Sequence, residues 1–257
     1  MLIYLVGFSP RWIFYLFLLV FALIGLSEYY RLTLPDLSPV LKLGTYLFVI
    51  LFFYIIFKQV FIVIGLFSLI IILPMLYYLF SNPLKGERYL SEVGTIVVGM
   101  LYVCLPLAML MQIDNKLYYL RYGIKGIWIF FLLVVLFAND TGAFYSGKLF
   151  GKHKLYESVS PKKTWEGSIG GLLSAFVVGI AFLKIFRLHS VDMSMIIIIF
   201  MLSVAGQIGD LAESMLKRNF NAKDSGELLP GHGGVLDRID SLLFAAPVLY
   251  IYLMMAI

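Results

Sequence analysis

Long apolar runs separated by short polar intervals dominate this chain, and their lengths decide the fold before any single residue does. The runs lie near Pro10–Tyr30, Leu43–Phe57, Val60–Phe80, Val93–Met111, Gly126–Tyr145, Gly167–Phe186, Met193–Glu213 and Ile239–Ile257. Each is close to the roughly 20 residues an α-helix needs to cross a bilayer. Strands of a membrane barrel would alternate apolar and polar positions, and these runs do not. Backbone polar groups in a bilayer must be paired within the protein, so helices are the remaining choice. The expected fold is all-α, a polytopic integral membrane bundle of eight to nine transmembrane helices, with the short apolar stretch Met1–Phe8 as the ninth. Because the runs recur along the whole chain, they exclude a lone signal peptide ahead of a soluble enzyme.

Composition agrees: the chain is 61% hydrophobic and 14% charged with mean hydropathy +0.95, against roughly 45–50% apolar and about 25% charged in a soluble domain. The sparse polarity is unevenly placed. Residues 1–112 read as scaffold helices and lipid contact, with Trp12, Tyr29, Tyr30, Tyr77 and Tyr78 at span ends, where aromatic belts form. From Asn139 onward carboxylates, lysines and glycines gather at span ends, which makes 113–257 the expected catalytic region. Its polar loops, 146–166 and 214–238, are separated by two spans and so lie on one side of the membrane. On that assignment 13 of the 20 Lys and Arg residues fall on the same side, the bias of a cytoplasmic face. The net charge of +5 is thus chiefly a topology signal, and it implies no nucleic-acid partner. Cys104 is the lone cysteine, so it has no partner for an intrachain disulfide and reads as packing. A transporter of phosphorylated substrates would also carry intramembrane charge, but transporter folds are commonly built from repeats, and none is visible here.

In the seventh span Asp210, Glu213, Ser214, Lys217 and Arg218 share one helical face by their i, i+3, i+4, i+7 and i+8 spacing. An ionisable group so deep in an apolar run faces a partner or a wet cavity. Asp210 therefore reads either as a metal ligand or as a structural ion pair with Lys217. The last span opens with Asp237, Arg238, Asp240 and Ser241, where Asp237, Asp240 and Ser241 again share a face. Capping would account for one of these carboxylates more readily than for two. If Asp210 and Asp237 meet across the bundle, two hard oxygen ligands define a Mg²⁺ site suited to a nucleotide triphosphate. Between the two helices, Asn219–Leu236 carries Gly226, Gly231, Gly233 and Gly234 with Lys223 and His232. Glycines let backbone N–H groups converge on an anion, and the basic residues add positive charge.

A second polar segment reads Ser160-Pro-Lys-Lys-Thr-Trp-Glu-Gly and ends where the sixth span begins. Lys162, Lys163 and Thr164 stand at a helix start, which favours an anion. A juxtamembrane basic pair is also attracted to anionic lipid heads, and the two readings merge if the substrate is itself an anionic lipid. In the fifth span Asp140 follows Asn139 and shares a face with Ala143 and Gly147, small residues that permit close helix approach. Asp140 is a candidate metal or supporting group, or a structural hydrogen-bonding one.

The run Ser214-x-x-Lys217-Arg218, then Lys223-Asp224, then His232-Gly233-Gly234-x-x-Asp237-Arg238-x-Asp240, resembles the signature of the phosphatidate cytidylyltransferase, or CDP-diacylglycerol synthase, family. The Ser160–Gly167 segment, Asn139-Asp140 and Gly209-Asp210-Leu211 resemble that family too. The likeness covers the C-terminal half in motifs and the whole chain in hydropathy. It implies transfer of a cytidylyl group from CTP to phosphatidic acid, giving CDP-diacylglycerol and pyrophosphate. It also implies Mg²⁺, a second, monovalent cation such as K⁺, a homodimer, and a prokaryotic-type inner (plasma) membrane location with the site facing the cytoplasm. The lipid phosphate is already ionised near neutral pH, so the reaction needs alignment and charge neutralisation rather than a strong base. On this reading Asp210 and Asp237 hold Mg²⁺, supported by Asp240 and Asp140. Lys217, Arg218, Lys223 and Arg238 hold the CTP phosphates and the leaving pyrophosphate. Lys162, Lys163 and His232 receive the phosphatidate head, with Thr164, Ser214, Gly233 and Gly234 as further substrate contacts. Asp224 orients Lys223 or joins the metal. The alternatives are another CTP-using membrane lipid enzyme, a polyprenol kinase or a CDP-archaeol synthase, and a transporter of phosphorylated substrates.

Overall fold

The computed structural model describes residues 2–58, 63–81, 86–114, 126–227 and 233–255. Its elements run α1 (Leu2–Gly7), α2 (Arg11–Thr33), α3 (Pro39–Phe57), α4 (Val63–Ser81) and α5 (Gly86–Gly99), which continues through a π-helical turn at Met100–Cys104 into α6 (Leu105–Ile113). Then follow α7 (Ile127–Phe150), a hairpin of β1 (Lys154–Tyr156) and β2 (Ser160–Thr164), α8 (Trp165–Ile185), α9 (Met193–Asn219) and α10 (Leu236–Met255). Among the described residues seven helices are long and apolar enough to cross a membrane: α2, α3, the continuous α5–α6, and α7 to α10. The protein is an all-α integral membrane protein. The described apolar stretch within α4, Leu69–Phe80, is shorter than a full span, and the six residues of α1 are too few to cross.

The chain divides into two compact units. The first comprises Met1–Pro10, Gln112–Lys223 and Asp237–Ile257, and the second Arg11–Met111 and Asp224–Leu236. In the first, α7 and α8 lie unusually close. A Cβ added at Gly171 of α8 would come 2.7 Å from the Asn139 carbonyl oxygen of α7, and one at Gly142 would come 2.8 Å from the Gly170 carbonyl oxygen. Lipid tails are as apolar as leucine, so hydrophobicity alone does not drive such helices together; small residues that admit close contact do. Trp128, Phe131, Leu132 and Val135 of α7 are buried in this unit, as are Leu183, Ile199 and Leu202. The opposite face of α8 presents Ile169, Leu173 and Val177 outward at four-residue intervals, an apolar stripe suited to lipid.

In the second unit Leu26, Phe52, Ile96 and Leu107 are buried. The π-helical turn precedes Pro106, which has no N–H to give the Tyr102 carbonyl, and the wider turn accommodates that missing bond. Tyr29 and Tyr30 depart from the interfacial belt expected of them, being 4% and 1% exposed. The ring of Tyr29 lies over Gly99, where an added Cβ would come within 2.6 Å, so helix packing rather than the membrane surface takes this side chain. Trp12 is exposed.

Two helices outrun their apolar segments. α7 continues to Phe150 and α9 to Asn219, so the first part of each expected loop is helical. Beyond α7 the chain forms the antiparallel hairpin, with Lys154 opposite Thr164 and Tyr156 opposite Ser160. The close approach of α7 and α8 is testable. Gly171→Val should overpack the contact at a cost of roughly 1–3 kcal/mol, lowering the thermal midpoint in detergent; an unchanged midpoint would show that the two helices tolerate separation.

Candidate functional site

β2 feeds directly into α8. Thr164 caps that helix, its Oγ1 accepting from the Gly167 N–H at 3.1 Å. Glu166, in the first turn, ties the hairpin down: its carboxylate accepts from the N–H groups of Lys152 at 3.1 Å and His153 at 3.2 Å, and meets His153 Nδ1 at 2.6 Å. Lys162 and Lys163 are thereby fixed on the wall of a cavity of about 400 Å³, within the roughly 300–1,000 Å³ of typical ligand pockets. The same wall carries Asp140 and Gly147 of α7, Thr164 of β2, Ser168 of α8, and Gln207 and Asp210 of α9.

One ion pair lies on the cavity wall. Lys163 Nζ lies 2.7 Å from Asp210 Oδ2. Asn139, 1% exposed, acts as a hub beneath the wall. Its Oδ1 accepts from Ser203 Oγ at 2.7 Å and Gln207 Nε2 at 2.8 Å, and its Nδ2 donates to Asp140 Oδ1 at 3.3 Å. Gln207 in turn accepts from the Ser168 hydroxyl. This network fastens α7, α8 and α9 together one turn before Asp210 and anchors Asp140 at the cavity.

A second charged cluster lies in the same unit. Lys217 Nζ donates to Glu213 Oε2 at 2.7 Å and to Asp237 Oδ1 at 2.5 Å. The side chains of Lys217, Glu213 and Asp237 are 12%, 1% and 10% exposed. One ammonium faces two carboxylates, and Glu213 Oε1 has no hydrogen-bond partner among the described residues. Asp240 interacts electrostatically with both Asp210 and Asp140. A Cβ at Gly209 would come 2.5 Å from the Asp240 carbonyl oxygen, so α9 and α10 cross where these aspartates sit. Ser214 Oγ donates to Asp210 Oδ1 at 3.4 Å.

The structure therefore groups Asp140, Asp210, Asp240 and Lys163, and holds Asp237 on Lys217. Neither Asp237 nor Asp240 is on the cavity wall. Lys217, expected on nucleotide phosphates, is engaged in the buried triad instead. Thr164 reaches the cavity while its oxygen serves the helix cap. Lys162, Lys223 and Arg238 are exposed. Arg218 is exposed as well and donates to the Ala222 carbonyl at 3.3 Å. In the second unit Asp224 is exposed, Gly233 adopts a φ of 76°, and Gly234 is buried against Glu28. His232 lies outside the described residues. Glu28, Ser203 and Gln207 stood outside the sequence-based expectations, and Glu213 appeared there on a helical face with no role attached. For Glu28 the available signal was a lone carboxylate in an otherwise apolar span.

The model of the cytidylyltransferase family matches residues 1–256. The chain belongs to the cytidylyltransferase family. It is similar to the phosphatidate cytidylyltransferase of Bacillus subtilis (strain 168), with 39% identity over 190 residues that cover 74% of this chain and 67% of the relative. The phosphatidate cytidylyltransferase of Staphylococcus saprophyticus is 46% identical over 126 residues, 49% of this chain and 48% of the relative. That of Staphylococcus aureus (strain COL) is 47% identical over 131 residues, again 49% and 48%. The chain thus spans about two thirds of the first relative's length and about half of the other two. Family membership gives the two clusters a context, because the residues that resemble the family signature include the ion-paired Asp210, Lys217 and Asp237.

The two lysines should differ in what they stabilise. Lys217→Met leaves Glu213 and Asp237 without their buried ammonium, which should cost about 3–5 kcal/mol. Lys163 and Asp210 are 27% and 39% exposed, and a half-exposed pair contributes about 1 kcal/mol or less. Thermal midpoints in detergent should therefore fall much further for Lys217→Met than for Lys163→Met; equal midpoints would remove the structural role of the triad.

Proposed function

We propose that the protein transfers a cytidylyl group from CTP to phosphatidic acid, forming CDP-diacylglycerol and pyrophosphate. The observation that carries this reading is the cavity beside the hairpin: in a chain of the cytidylyltransferase family, Lys162 and Lys163 of the hairpin share one wall with Asp140 and Asp210 of membrane helices. In the reaction a phosphate oxygen of the lipid bonds to the α-phosphorus of CTP while the bond from that phosphorus to the bridging oxygen of the β-phosphate breaks. The nucleophile is already anionic, so the protein has to align two anions and offset their repulsion. Lys162 and Lys163 suit the lipid phosphate. Exposed Arg218, Lys223 and Arg238 suit the triphosphate and the leaving pyrophosphate. Lys217 is better suited to holding Asp237 in place, because it would have to leave that carboxylate to reach a nucleotide.

Mg²⁺ fits the donors present. Asp210, with Asp140 and Asp240 grouped about it, offers hard oxygens, and Asp237, held on Lys217, offers another. No group of three or more ligating side chains close enough to hold an ion occurs among the described residues. A Mg²⁺ ion carried on a nucleotide needs only one or two carboxylates, its other positions going to phosphates and water. Bound there, it would offset phosphate charge and orient the nucleotide. A second, monovalent cation and a homodimer are supported by the family resemblance alone. An inner-membrane location with the site toward the cytoplasm is supported by the bacterial relatives and the Lys/Arg bias.

Purified protein supplied with labelled CTP, phosphatidic acid and Mg²⁺ should yield a CDP-lipid and pyrophosphate. Release of CDP with a phosphorylated lipid would instead indicate γ-phosphoryl transfer, as in a polyprenol kinase, and folded protein with no transfer at all would overturn the reading. Asp210→Asn and Asp237→Asn should each slow turnover on the order of 100-fold or more with the helical content retained. A near-normal rate in either variant removes that residue from the metal site.

A further inference from the structure

Glu28 lies in the last third of α2 and is 2% exposed. A carboxylate at such a position is costly unless donors reach it. Here they do: it accepts from Ser225 Oγ at 3.1 Å, from the Val235 N–H at 3.0 Å and from the Leu236 N–H at 2.8 Å. These donors come from the two ends of the glycine-rich segment of the signature. Gly226 and Gly234 let the chain close around the carboxylate, since an added Cβ would come 2.6 Å from Glu28 Oε1 at the first and 2.5 Å from Oε2 at the second. Val235 and Leu236 stand at the N-terminus of α10, where free N–H groups and the helix dipole both favour an anion. Hydrogen bonds to an ionised acceptor are roughly twice as strong as neutral ones. Asp237 follows Leu236 directly, and Asp240 lies one turn further along the same helix.

We propose that Glu28 is a positioning residue for nucleotide transfer. It gathers both ends of the glycine-rich segment on one carboxylate and fixes the backbone at Val235 and Leu236, without touching substrate itself. This inference rests on the reading of the protein as a CTP-using transferase.

The full chain in detergent or nanodiscs provides the test. Glu28→Gln keeps the side-chain volume but turns an N–H donor toward groups that are themselves donors. Hydrogen exchange at the Val235 and Leu236 amides should accelerate. The KM for CTP should rise roughly ten-fold or more, while the KM for phosphatidic acid stays at the wild-type value. A purely structural role would lower the amount of active protein and the maximal rate, leaving both KM values unchanged. Ser225→Ala removes one donor and keeps the carboxylate, so it should shift the KM for CTP in the same direction by less. Folded Glu28→Gln protein with wild-type exchange or a wild-type KM for CTP overturns the inference. If that variant does not fold, Ser225→Ala with a wild-type KM for CTP does so instead. Wild-type protein without CTP-dependent transfer would sink the functional reading rather than the clamp, which exchange at the two amides in Glu28→Gln decides by itself.

Discussion

Carboxylates carried on membrane helices must find donors, because leaving one unpaired in a low-dielectric interior costs several kcal/mol. The polar architecture of this protein follows from meeting that demand. Lys163 meets Asp210 in the cavity, Lys217 lies between Glu213 and Asp237, Asn139 donates to Asp140, and backbone N–H groups meet Glu28. Several of these pairings join residues distant in the sequence.

Close helix packing makes these pairings possible. The small residues along α7 and α8 bring the two backbones together, which places Asn139 where Ser203 and Gln207 of α9 can both donate to it. A bulkier seam would move Asp140 and Asp210 apart even with every polar residue retained. Hydrogen bonding and small side chains, rather than apolar burial between helices, are the terms available to a membrane bundle for this purpose. The hairpin extends the same principle outward, since Glu166 and the Thr164 cap hold Lys162 and Lys163 at the cavity.

The arrangement also separates two kinds of charge. The Lys163–Asp210 pair is partly exposed and faces a cavity, so its members can exchange partners with an incoming anion and a cation at little cost. The Lys217 triad is buried and resists such exchange, which suits a group that maintains geometry. Residues belonging to one family signature thus differ in physical role according to exposure.

Hydropathy alone determined where the helices lie, because bilayer thickness imposes a length on every apolar run and the helix is the structure that pairs its own backbone within it. Helical spacing likewise placed Asp210, Glu213 and Lys217 on one face of α9, and the signature residues pointed to the family. The helix ends were less visible, since α7 and α9 continue past their apolar segments wherever polar side chains find partners. Partners themselves were decided by tertiary structure. Asp210 meets Lys163, Asp237 meets Lys217, the Tyr29 ring is taken up against Gly99, and Glu28 receives amides some two hundred positions later in the chain. Local periodicity reports which face of a helix a residue occupies, whereas the identity of the group opposite depends on how helices distant in sequence pack.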